Sequence, residues 1–171
     1  MSWISASEDT GISVLTTIDA ETGGQLILLG LGSGDVRVLS GISREQIGLI
    51  DTGGDTVNRI LLADADNDGN DGIVVCDDAQ IHLVDPATLT IEAHVPYGAN
   101  DCEVGNVDED AAFEIILSDG RVLEFDGTDT EIEWTYPGGE FGTLLELANI
   151  DDDPALEIIG ASSWYYVTAF D

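Results

Sequence analysis

Asn149-Ile150-Asp151-Asp152-Asp153-Pro154-Ala155-Leu156-Glu157-Ile158-Ile159 places oxygen-bearing side chains at alternating positions and then runs straight into a β-type apolar stretch. Two other segments align with it without gaps. One is Asn106-Val107-Asp108-Glu109-Asp110-Ala111-Ala112-Phe113-Glu114-Ile115-Ile116. The other is Asp64-Ala65-Asp66-Asn67-Asp68-Gly69-Asn70-Asp71-Gly72-Ile73-Val74. A worn fourth copy starts at Thr17 and keeps Asp19, Glu21 and Gln25, so the copies recur with steps of 47, 42 and 43 residues. A fixed stride of this length is the mark of a repeat architecture.

Each copy reads as strands separated by turns. An apolar run such as Ile60-Leu61-Leu62 precedes the acidic segment, and a β-rich run such as Glu114-Ile115-Ile116-Leu117 follows it. Two alternating segments come next, for example Arg121-Val122-Leu123-Glu124-Phe125 and Ile132-Glu133-Trp134-Thr135-Tyr136. Period-two alternation punctuated by Gly, Asp and Pro predicts strands and predicts no helix. Four strands in each unit of about 40–45 residues predict propeller blades.

The expectation is therefore an all-β, single-domain β-propeller over residues 1–171 with four four-stranded blades, at 7–50, 51–96, 97–138, and 139–171 completed by 1–6. The last blade lacks an outer strand in chain order. Ser2-Trp3-Ile4-Ser5-Ala6 resembles the outer-strand segment around Trp134 and is expected to supply it. Two closures are open: one chain makes a four-bladed ring, or two chains exchange N-terminal strands and make an eight-bladed homodimer.

Composition narrows the function. The 171 residues are 43% hydrophobic, which permits a real core. Thirty-five acidic residues face four arginines and no lysine, for a net charge of −31. Such a surface repels nucleic-acid phosphates and anionic membranes. It also suits a high-salt environment, where screening relieves self-repulsion. No apolar run approaches the length of a transmembrane helix, and the N-terminus carries no signal-peptide pattern. Cys76 and Cys102 are too few for a disulfide framework and read as buried thiols.

The acidic segments suit calcium, a hard cation that takes six to eight oxygens. Side chains at the first, third, fifth and ninth positions and a backbone carbonyl at the seventh can supply them. The expected ligands are Asn106, Asp108, Asp110, Ala112 (carbonyl) and Glu114 in one loop. In another they are Asn149, Asp151, Asp153, Ala155 (carbonyl) and Glu157. The third set is Asp64, Asp66, Asp68, Asn70 and Asp71, with Gly72 at the ninth position. Asp19 and Glu21 in the worn copy promise weak binding or none. Val75 at the twelfth position excludes an EF-hand, which needs a bidentate Glu there.

Phe141-Gly142-Thr143 through the last acidic segment to Glu157-Ile158-Ile159-Gly160-Ala161 resembles the FG-GAP repeats of integrin α-subunit propellers and the related VCBS repeats. The resemblance implies that the loop joins the first two strands of a blade and binds calcium, and that the ring recognises protein or carbohydrate partners. Gly120 through Asp126 to Trp134 also resembles quinoprotein-type blades, with nothing that suggests a quinone site.

Aromatic residues on loops of the opposite end, Tyr97, Tyr136, Phe141, Trp164 and Tyr165, are candidates for a partner face, with packing at the rim as the competing reading. No zinc spacing, catalytic triad order, phosphate loop or nucleophile elbow is present, so the chain reads as non-enzymatic. A propeller hydrolase or lyase and a purely architectural repeat protein are the alternatives.

Overall fold

A computed structural model describes residues 10–19, 23–108, 110–151, 153–161 and 166–170. Among them lie fifteen strands and no helix, hence no helix long and apolar enough to cross a membrane. The first sheet holds β1 (Ile12–Asp19), β2 (Gln25–Leu31), β3 (Asp35–Ser40) and β4 (Gln46–Asp51). The second holds β5 (Val57–Ala63), β6 (Gly72–Asp77), β7 (Ile81–Val84) and β8 (Ile91–Val95). The third holds β9 (Cys102–Gly105), β10 (Glu114–Leu117), β11 (Arg121–Phe125) and β12 (Thr130–Thr135). The fourth holds β13 (Leu144–Ala148), β14 (Glu157–Ala161) and β15 (Val167–Phe170). Every sheet is an antiparallel meander in chain order. The expected outer strand from residues 2–6, with Trp3, lies outside the described residues.

Side-chain alternation explains how the sheets stack. On β6, Ile73 and Val75 pack towards the first sheet, while Val74 and Cys76 pack towards the third. Both faces of the strand are covered, so its sequence is continuously apolar. Three apolar clusters result among the described residues. Leu28, Val36, Val38 and Ile50 meet Val57, Ile73 and Val75 between sheets one and two. Val74, Ile81 and Leu83 meet Cys102, Ile115 and Leu123 between sheets two and three. Ile116 and Val122 meet Phe141, Leu145 and Ile158 between sheets three and four. Cys76 and Cys102 are free buried thiols in the middle cluster.

The inner strands are tied by side chains as well. The Ser13 hydroxyl donates to the Val57 carbonyl at 2.6 Å, joining β1 to β5. Asn58 donates to the Ala99 carbonyl at 2.9 Å, and Arg59 pairs with Glu103 on β9. Asp101 accepts from the Leu145 N–H at 2.8 Å, joining the third sheet to β13.

In each of the first three sheets the pairing of the outer strand slips by one residue. The extra residue is Ile47 on β4, Glu92 on β8 and Glu133 on β12. A bulge of this kind bends the strand and re-aims a side chain.

Candidate metal centres

The acidic segments are the hairpin loops between the first two strands of their sheets. Eight residues separate the last paired positions in the second, third and fourth sheets, Ala63 with Gly72, Gly105 with Glu114, and Ala148 with Glu157. The first sheet differs. Thr17 and Asp19 are paired strand residues, Asp19 facing Gln25, and only five residues close the hairpin. Asp19 is thus a paired strand residue and not an interior loop position, a correction to the ungapped alignment. Glu21 lies outside the described residues.

In the fourth loop the three expected carboxylates come together. Carboxylate oxygens of Asp151, Asp153 and Glu157 lie within 4.8 Å of one another. Opposite ligands of a calcium ion, each bound at 2.3–2.6 Å, are about 5 Å apart, so this spacing fits. Glu157 folds back over the loop and accepts from the Ile150 N–H at 2.7 Å. Asp151 accepts from the Asp153 N–H at 2.8 Å and Asp153 from the Ala155 N–H at 3.0 Å. Asn149 donates to the carbonyls of Asp153 and Ala155.

The third loop repeats the backbone pattern. Glu114 accepts from the Val107 N–H at 2.8 Å, Asp108 from the Asp110 N–H, and Asp110 from the Ala112 N–H, both at 2.7 Å. Asn106 donates to the Asp110 carbonyl at 2.7 Å. Its carboxylates nevertheless split into two groups, Asp108 with Glu114 and Glu133, and Asp110 with Glu124 and Glu133. Glu133 belongs to both. Sequence reasoning missed Glu124 and Glu133, which lie on β11 and β12 rather than in the loop.

In the second loop Asp64, Asp66 and Asp68 gather their oxygens. Asp64 accepts from the N–H groups of Asp68 and Gly69 at 3.0 and 2.9 Å, and Asn70 turns its amide onto Asp68 at 3.0 Å. Gly69 and Asn67 both sit in the left-handed region, at φ +91° and +57°, which tightens the loop. Asp71 stands outside this group. It lines an adjoining cavity of about 250 Å³ with Asp66, Asp68, Asp85 and the bulge residue Glu92.

Like charges crowd these loops. Burial raises the Asp66 carboxyl, and the Asp68 and Asp64 charges add to it. Burial first, then Asp108, Glu133 and Asp110, pushes Glu114 up to about 7 against the pull of the Val107 N–H. Burial and the charges of Asp108, Glu124 and Asp110 raise Glu133. The donors are all oxygens and their charges repel, so the residues present fit a hard divalent cation.

The aromatic residues are placed differently from the expected open face. Phe141 is buried against Leu145, stacked on Tyr136 at 5.7 Å and set edge-on to Phe170 at 4.9 Å. This corrects its assignment to a partner surface: the Phe-Gly pair turns the ring into the gap between sheets three and four. Tyr97 lies under the Arg121 guanidinium, 4.5 Å from its ring centre. Trp164 and Tyr165 lie outside the described residues. A cavity of about 220 Å³ opens between sheets three and four, where Trp134, Ile158 and Phe170 meet Asp108 and Glu133.

Two further polar groups are internal. His82 Nε2 lies 2.7 Å from buried Asp77, and His94 Nδ1 lies 3.1 Å from His82 Nδ1. On the inner strands Arg59 meets Asp101 at 3.6 Å as well as Glu103. Burial, with the Glu146 and Asp101 charges, brings Glu103 to about 7 despite Arg59.

No protein-family model and no curated protein sequence matches the chain. Solved structures do. One is a crystal structure of BBS1N, a propeller, in complex with ARL6DN and soaked with lead, with TM-score 0.63 at 13% identity, covering 98% of this chain and 54% of that one. The chain therefore spans about half the length of that neighbour. Another is the computationally designed Ika4 protein, with TM-score 0.59 at 11% identity, covering 96% of this chain and 92% of that one. Likeness at this identity shows the fold: the chain is all-β and propeller-like.

Proposed function

We propose that the protein is a calcium-binding propeller module, with loops of the FG-GAP/VCBS type, that serves as a non-enzymatic binding or assembly scaffold. The observation that carries the reading is the fourth loop. Asp151, Asp153 and Glu157 converge from a hairpin tip and the following strand to the spacing of a hard-cation shell. The third loop offers the same backbone frame, with Glu133 added from the outer strand.

Calcium here is structural. It neutralises carboxylates that otherwise repel and pins each hairpin to its sheet. Binding to the folded state alone stabilises by about 2.7 kcal/mol at a hundred times Kd. Partners of this scaffold are proteins or carbohydrates, since its charge disfavours nucleic acid and anionic membranes.

Titration calorimetry and thermal melting test this directly. Calcium added to chelator-treated protein gives saturable heat and raises Tm, and magnesium, which dehydrates reluctantly, gives less of both. No heat and no change in Tm would overturn the calcium reading.

A second reading, a propeller hydrolase or lyase, has one observation in its favour. Arg59, Asp101 and Glu103 gather on the inner strands, and Glu103 is held near neutrality. Turnover of a sugar or ester substrate that disappears in Glu103→Gln while the fold persists would support it.

A further inference from the structure

Every internal sheet is covered on both faces, and the outward faces of the end sheets expose apolar residues at the register positions that the internal sheets bury, although Leu29, Leu31 and Leu39 on the first of them are themselves buried. Leu15 pairs with Leu29, Ile60 with Val75, Cys102 with Leu117 and Leu145 with Gly160, so these four inner-strand residues hold one register position on the face towards the preceding sheet. Ile60, Cys102 and Leu145 are 3%, 0% and 5% exposed, whereas Leu15, which has no preceding sheet, is 64% exposed. The opposite face behaves likewise. Val36 pairs with Gly30, Ile81 with Cys76 and Val167 with Ala161. Val36 and Ile81 are fully buried under the next sheet, and Val167 is 73% exposed.

Neighbours on the same rows extend both patches. Leu49 lies beside Leu15 through Leu29 and Arg37, and Leu144 lies beside Val167 through Ala161; both are exposed. Within the chain, the Val36 row already packs on the Ile60 row, and the Ile81 row on the Cys102 row. The Val167 row is built to pack on a Leu15 row. The chain's own Leu15 does not serve, since both residues stand open.

We propose that a second copy of this chain supplies the missing faces, the fourth sheet of each copy packing on the first sheet of the other, so that two chains close one eight-bladed ring. The junction continues an interface that the chain already makes three times. Head-to-tail contacts either close or propagate. Two copies of four blades reach the upper end of the usual propeller range of four to eight, whereas three copies exceed it. The inference rests on the propeller reading above but not on calcium.

Sedimentation equilibrium of the whole chain tests it, run at about 1 M salt so that the −31 charges are screened. The chelated protein is expected to sediment with twice the 18.1 kDa of one chain. Leu15→Asp alone and Val167→Asp alone each spoil both junctions and give the mass of one chain, with melting curves confirming that each variant folds. Mixing the two variants leaves one junction intact and restores the doubled mass, at higher protein concentration than the unaltered chain needs. A single-chain mass for the unaltered protein across the concentration range overturns the proposal, as does an open ladder of masses or variants that associate normally. Loss of calcium binding with the doubled mass retained would sink the loop reading and leave the ring standing.

Discussion

Asn67 and Phe113 form a two-sided clasp between neighbouring acidic loops. The Asn67 amide oxygen accepts from the Phe113 N–H at 2.6 Å, and its amide nitrogen donates to the Phe113 carbonyl at 3.1 Å. The same nitrogen reaches the Phe125 carbonyl at 3.3 Å. One side chain thereby mimics a strand partner and fixes the second loop against the third.

Asn67→Ala should cost about 1–2 kcal/mol, because it removes the clasp and puts an alanine into left-handed backbone. Asn67→Gly removes the clasp but accepts φ +57°, so it should lose less. Urea denaturation of the two variants separates the hydrogen bonds from the backbone strain.

The calcium ligands should rank by geometry. Asp153→Asn and Glu157→Gln each strip a carboxylate from the converging group of the fourth loop, and should weaken calcium binding there by at least about tenfold. Glu133→Gln should weaken the third loop by about tenfold too, although Glu133 is far from that loop in sequence. Calorimetry that finds Glu133→Gln unchanged would restrict the third centre to its own hairpin.

Those two loops also mark what spacing along the chain makes legible and what it does not. Strand runs, hairpin placement and the Asp151, Asp153, Glu157 set follow from local alternation and spacing, which one-dimensional patterns carry. Glu133 does not, because its direction depends on a slip in pairing between β11 and β12. Read as plain alternation, Glu131 and Glu133 are two acids on one strand face. Asp19 is hidden from pattern reading for another reason: pairing of the first two strands continues through Asp19 and Gln25, which residue types alone do not reveal. Phe141 looked like a loop aromatic, and only the packing of sheet three on sheet four shows what its ring fills.

Acidification should stabilise the protein through Glu103. An unfolded glutamate titrates near 4.5, while the folded one is held at about 7, first by burial and then by Glu146 and Asp101. Below 4.5 both states are protonated and the group is neutral in effect. Between the two values only the folded state keeps the proton, so stability falls as pH rises towards 7 and stays lowered above it. Glu103→Gln should flatten that part of the Tm-versus-pH curve between pH 4.5 and 7, with calcium absent from both samples.

Salt should act in the same direction as calcium but without saturation. With 35 acidic residues against four arginines, Tm is expected to rise by several degrees between 0.1 M and 1 M potassium chloride, as the screening length shrinks from about 10 Å to about 3 Å. A flat salt response would mean that the carboxylates are spaced too widely to repel.

Among the described residues each apolar cluster joins two adjacent sheets, so within one chain coupling runs between nearest neighbours. In a single chain opening can then begin at either terminal unit without breaching the middle cluster around Ile81, Cys102 and Leu123, and pairing of two chains would close off both starting points, so backbone amides of β6 and β10 should be the slowest to exchange.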